Sequence, residues 1–122
     1  MIAIVEDDAA MREALSDLIE VFGFRVQAFD SSESFLAVRT PGAYTCLVTD
    51  LNLSGESGVQ LRQRLTALEP SLPVIIISAQ DDPGARTVAL SCGAFAYLTK
   101  PINDRVLLQH LTLALGQRTS PA

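Results

Sequence analysis

A chain of 122 residues, 48% hydrophobic and 19% charged, is the size and make-up of one globular domain and is too apolar to be disordered. Its formal net charge of -5 argues against a nucleic-acid-binding surface, since phosphate contacts need clustered Lys and Arg. No apolar run nears the roughly 20 residues of a bilayer span, and the opening Met1-Ile2-Ala3-Ile4-Val5-Glu6 has no basic leader, so a cytoplasmic protein off the membrane is expected.

Ile2-Ala3-Ile4-Val5 is an unbroken apolar run of the kind buried on both faces of a parallel sheet. Met11, Ala14, Leu15, Leu18, Ile19 and Phe22 then recur at helical spacing, with Gly23 as the stop. Arg25 to Phe29 alternates polar and apolar residues, which predicts an edge strand. Ser31 or Ser32 caps a short helix carrying Phe35 and Leu36. Cys46-Leu47-Val48-Thr49 is the third strand. Val59, Leu61, Leu65 and Leu68 mark a third helix that Pro70 and Pro73 end. Val74-Ile75-Ile76-Ile77 is the fourth strand, and the next helix starts at Pro83 and stops at Gly93. Ala96-Tyr97-Leu98 is the last and shortest strand. Asn103 caps a final helix with Val106, Leu107, Leu108, Leu111 and Leu115 as its buried stripe and Ile102 stapled to Leu107. Cys46 and Cys92, far apart in a strand and a helix, are expected to be reduced core hydrophobes. Strands alternating with helices predict an α/β domain over residues 1–116, five βα units in a doubly wound parallel sheet. Residues 117–122 are expected to be a tail or the start of a linker.

Polar residues fall at one kind of place. Glu6, Asp7 and Asp8 follow the first strand, Asp50 the third, Ser78 the fourth and Lys100 the fifth. Ligands of open α/β sheets bind at that carboxyl edge, where strand order reverses. In the order 2-1-3-4-5 the first and third strands are neighbours, so Glu6, Asp7 and Asp50 are expected to share a crevice. Carboxylates crowded together raise one another's pKa unless a cation sits among them, and all-oxygen ligands suit Mg²⁺. Asp8 is expected to act only as a helix cap. Lys100 can reach across to a phosphoryl oxygen as a point charge. The bond to Pro101 is open between trans, the default for X-Pro, and a cis form that would aim Lys100 inward. His110, alone in mid-helix, is expected to be structural.

These residues resemble the receiver domains of two-component response regulators over nearly the whole chain. The motifs are Glu6-Asp7 in "IVEDD", Asp50 in "LVTDLNLSGESGVQL", Ser78-Ala79 in "IIISAQ", and Tyr97 with Lys100 in "YLTKP". The resemblance implies a CheY-like, flavodoxin-like fold. It implies that Asp50 takes a phosphoryl group from a sensor histidine kinase or phosphotransfer protein. Asp7 would bind Mg²⁺ directly, Glu6 through water, and Asp50 with the Asn52 backbone carbonyl would complete the set. Ser78 would close on the phosphoryl group, Tyr97 would turn inward as the readout, and Lys100 would pair with the acyl phosphate. The residues around Asp50 look most like the FixJ-like branch, whose receivers usually precede a helix-turn-helix effector. A phosphorylation-driven homodimer and transcriptional output through a separate domain are expected on that basis, with a stand-alone receiver that docks partners as the alternative. Glu6 stands where Asp is common, Ser54 where Pro is usual and Ser78 where Thr is usual.

Two other functions fit the layer order less well. A flavin-binding flavodoxin needs a hydroxyl- and glycine-rich loop after the first strand, where Glu6-Asp7-Asp8 would repel phosphate. An aspartyl-phosphate hydrolase resembling this motif needs a general-acid Asp two residues past the nucleophile, where this chain has Asn52. A switch that does not turn over substrate is therefore expected.

Overall fold

Each apolar run becomes a strand that begins at, or one residue after, its expected start. The computed structural model describes residues 1–53, 55–79 and 83–119, the last three by backbone alone. Ser54, Gln80 and residues 120–122 of the expected tail lie outside the described residues. In chain order the elements are β1 (Ile2–Val5), α1 (Ala9–Val21), β2 (Val26–Phe29), α2 (Ser32–Val38), β3 (Cys46–Asp50), α3 (Gly58–Leu68), β4 (Val74–Ser78), α4 (Pro83–Ser91), β5 (Ala96–Thr99) and α5 (Asp104–Thr119). All strand pairings are parallel and the order is β2-β1-β3-β4-β5.

Burial follows the sequence pattern. Every residue of β1 and β4 is buried, and so is β3 up to Asp50. At the edge, β2 keeps only Phe29 buried and exposes Ala28. Alternate strand residues feed two cores on opposite faces of the sheet. One gathers Phe29, Phe35, Tyr44, Leu61, Leu65, Ile76 and Tyr97 with α2, α3 and α4. The other gathers Leu15, Ile19, Ile75, Ile77, Leu107 and Leu111 with α1 and α5. Each fully buried branched side chain contributes about 1.5–3 kcal/mol, so the central strands dominate the fold's stability.

The helix ends are set by local chemistry. Asp8 accepts from the backbone N–H groups of Ala10 and Met11, the capping role expected of it. Ser31 caps α2, Ser57 and Gln60 form a capping box on α3, and Asn103 accepts from Arg105 and Val106 to cap α5. Gly23 and Gly93 take φ of 97°, which a side chain would resist. Both cysteines are free, and burial pushes the Cys46 thiol up to about 12, as an inert core residue requires.

Three expectations need correction. The buried stripe of α5 is Leu107, Leu111 and Ala114, while Val106 and Leu108 are each 37% exposed. Consecutive helical residues point about 100° apart, so 106, 107 and 108 cannot share one face. Leu68 at the end of α3 is likewise 53% exposed. The Lys100–Pro101 peptide, which the sequence left open, is cis. Helix α5 also runs through Gly116 to Thr119, into the stretch expected as tail. Among the described residues no helix is long and apolar enough to cross a membrane.

Candidate functional site

Parallel register brings the strand ends together. Val5 lies beside Thr49, Asp50 beside Ile77, and Ser78 beside Thr99, so the next residues along β1 and β5 are Glu6 and Lys100. Lys100 Nζ stands 2.6 Å from Asp50 Oδ2 and 3.3 Å from Glu6 Oε1, binding both carboxylates with one ammonium. The other Asp50 oxygen, Oδ1, accepts from the backbone N–H of Asn52 at 2.8 Å. Glu6 is anchored on both sides of its backbone. Its N–H donates to the Phe29 carbonyl at 3.1 Å, and its carbonyl accepts from Arg12 Nη1 at 2.9 Å.

The charge balance is uneven. Burial, followed by the negative charge of Asp50, pushes the Glu6 pKa up to about 7, with Lys100 only partly offsetting them. Burial would lower the Lys100 pKa, but its bond to Asp50 and the charges of Asp50 and Glu6 outweigh that and raise it. Glu6 binds its proton more tightly folded than unfolded, so its contribution to stability is fully present below about pH 4.5 and is lost as pH rises through about 7. We expect the metal-free protein to carry a Glu6-dependent loss of up to about 3 kcal/mol across that window. Comparing denaturant melts of wild type and Glu6→Gln at both ends of the window checks this. Equal pH slopes in the two proteins would refute the assignment.

Glu6 Oε2 is buried without a hydrogen-bond partner. An orphaned carboxylate oxygen beside a second carboxylate is a poor resting arrangement but a good donor set for a hard divalent cation such as Mg²⁺. Asp7 is exposed at the mouth of α1. Among the described residues no three His, Cys, Asp or Glu side chains already stand close enough to hold an ion. The structure thus brings together Glu6, Asp50 and Lys100, with Asn52 beside them.

Ser78 is fully buried at the end of β4, and its carbonyl accepts from the Lys100 N–H at 2.8 Å. Tyr97 is buried in β5, on the α4 side of the sheet. Two supporting residues carried no role in the sequence reading. Arg12 holds the Glu6 carbonyl, and no local pattern marks it. Gly58 lies where a Cβ would stand 2.6 Å from the Asp50 carbonyl oxygen. It sits inside the motif around Asp50, yet only a long-range contact shows why it must be small.

A family model described as the response regulator receiver domain matches residues 2–112. The chain is 32% identical over 116 residues to the transcriptional regulatory protein FixJ of Bradyrhizobium diazoefficiens, covering 95% of this chain and 57% of FixJ. It is 38% identical to the response regulator protein FleR of Pseudomonas aeruginosa, covering 95% of this chain and 25% of FleR. The chain therefore spans about half of FixJ and a quarter of FleR. Among solved structures it resembles full-length FixJ from B. japonicum, with a TM-score of 0.85 and 31% identity over 98% of this chain and 59% of that one. It also resembles the BeF3-activated DrrB receiver domain, with a TM-score of 0.84 and 28% identity over 93% and 95% of the two chains.

Proposed function

Because this chain belongs to the response regulator receiver domain family of two-component systems, we propose that Asp50 is its phosphoryl acceptor and that Glu6, Asp7 and the Asn52 carbonyl hold Mg²⁺ beside it. The observation that carries this reading is the 2.6 Å approach of Lys100 Nζ to Asp50 Oδ2 in a site where Glu6 Oε2 lacks a partner. One cation already neutralises Asp50, and one buried oxygen is left over for another.

Phosphoryl transfer asks a protein mainly for positioning and charge stabilisation. One Asp50 oxygen forms the new P–O bond. The P–N bond of a kinase or phosphotransfer phosphohistidine breaks, and its electron pair stays on the imidazole. The Asn52 N–H and Lys100 fix the Asp50 carboxylate for that attack, and Lys100 then follows the phosphoryl oxygens. Bound Mg²⁺ supplies further neutralisation of charge on those oxygens. Ser78 donates one hydrogen bond to them, and Tyr97 reads its movement. By comparison with phosphoserine, the phosphoryl group carries about -1.5 to -2 charge in place of the single carboxylate charge of Asp50, with strong acceptor oxygens, enough to bias a two-state surface around α4 and β5.

The protein acts in the cytoplasm as a switch, not as a turnover enzyme. Its similarity to the transcriptional regulatory protein FixJ, of which it covers 57%, supports transcriptional output through a further domain. Apolar side chains exposed on α4 and α5, among them Val88, Leu90, Val106 and Leu108, support docking of a second copy after phosphorylation.

Acetyl phosphate with Mg²⁺ tests the acceptor. Intact mass should rise by one phosphoryl group, in a linkage that hydroxylamine cleaves and that peptide mapping locates to Asp50. Label found elsewhere would overturn the proposal. Lys100→Ala should still take label but on the order of 100-fold more slowly, as when one preorganised charge is removed from a transfer site. An unchanged rate would remove Lys100 from the mechanism.

A further inference from the structure

We infer that Arg86 is a positioning residue of this switch, holding Tyr97 in its inward placement from above. The inference rests on the reading of Tyr97 as the readout given under Proposed function.

Tyr97 lies in β5, is 3% exposed, and packs in the same core as Ala89, with Ala85 of α4 against it. Arg86 is the neighbour of Ala85, on the first turns of α4. Its guanidinium carbon stands 5.2 Å from the centre of the Tyr97 ring, in cation–π contact. From the same group, Nη1 donates to the Tyr97 backbone carbonyl at 3.2 Å. One planar fork therefore grips both the ring and the backbone of a single residue. An ammonium cannot reproduce that two-point geometry.

The grip matters because this helix buries little of itself. Helix α4 has one buried residue, Ala89, whereas α1, α2 and α3 each have at least two. An element with few buried residues opens readily, so two contacts from one side chain help to join α4 to β5. The register also links this grip to the acceptor site. Tyr97 pairs with Ile76, Ser78 pairs with Thr99, and the Lys100 N–H is bonded to the Ser78 carbonyl. Tyr97 cannot swing outward without giving up the cation above it. Arg86 thus loads the equilibrium toward the inward state before any phosphate arrives, and it couples the ring to the position of α4.

The chain has two tyrosines, which makes the test direct. The whole protein is labelled with 3-fluorotyrosine and followed by fluorine NMR with a soluble paramagnetic agent. Tyr44 is the internal control, 1% exposed with its hydroxyl bonded to Gln27, and Tyr44→Phe assigns the two resonances. In wild type both resonances should be protected. Arg86→Ala should lower the inward-to-outward ratio of Tyr97 by about 5- to 30-fold, leaving Tyr44 unchanged. Arg86→Lys should fall between the two. Tyr97 staying as protected in Arg86→Ala as in wild type would overturn the inference. Beryllofluoride with Mg²⁺ should then restore protection in Arg86→Ala. Failure to do so in a protein that still labels on Asp50 would overturn the readout role of Tyr97, while the exposed ring in the free variant would still establish the grip of Arg86.

Discussion

Asp50→Asn should take up no phosphoryl group from acetyl phosphate under conditions that label the wild type. The loss should be at least about 10³-fold, as expected when the attacking atom's charge is removed and not merely a supporting contact. The variant should fold, because the Asn Oδ1 can still accept from the Asn52 N–H, while its NH2 group takes the place of the oxygen that accepted from Lys100 Nζ and gives up that one bond. It should also be electrostatically calmer. The Asp50 charge is the second cause of the raised Glu6 pKa after burial, so removing it should bring Glu6 down from about 7. Two measurements on one variant therefore separate the roles: intact mass reports the acceptor, and the pH dependence of stability reports the charge. A variant that labelled like wild type would place the acceptor elsewhere.

Gly58→Ala should cost about 2–4 kcal/mol and slow phosphoryl uptake together, a large effect for one added methyl. The new Cβ would stand 2.6 Å from the Asp50 carbonyl oxygen and 3.3 Å from the Leu51 Cα. Both are backbone atoms, so no side chain can swing away to make room. The turn is closed by the Gly58 N–H donating to the Leu51 carbonyl at 2.8 Å and by the Asn52–Ser57 bridge. Displacing α3 therefore displaces Asp50 and the Asn52 N–H that orients it. Gly116→Ala is the matched control. Nothing lies within 4 Å of that position, which is exposed in α5, so the same change should stabilise by about 0.5–1 kcal/mol. Denaturant melts of the two variants decide it. Similar stabilities would show that the turn after β3 tolerates a side chain and that its closeness to Asp50 is not a constraint.

Most of the fold was legible because its signals are local. Apolar runs set the strands, and Asp8, Ser31 and Asn103 cap helices with side chains only two or three residues from their partners. Where a pattern was read too generously, as with Val106 and Leu108, simple helical geometry corrects it. The site was legible by position more than by contact. Asp50 and Ser78 end strands and Lys100 follows one, so their placement at one edge of the sheet could be read from position alone.

Amino-acid order alone established the α/β layering and which acids and which lysine fall at strand ends, since periodicity and capping act over a few residues. Tertiary structure decided which of those acids Lys100 holds. It brought Lys100 onto Glu6 and Asp50, 94 and 50 residues away. It also supplied the need for Gly58 and the grip of Arg86 on Tyr97. Each of these depends on the distance between groups remote in the chain, and such distances exist only once the two cores have closed on the sheet.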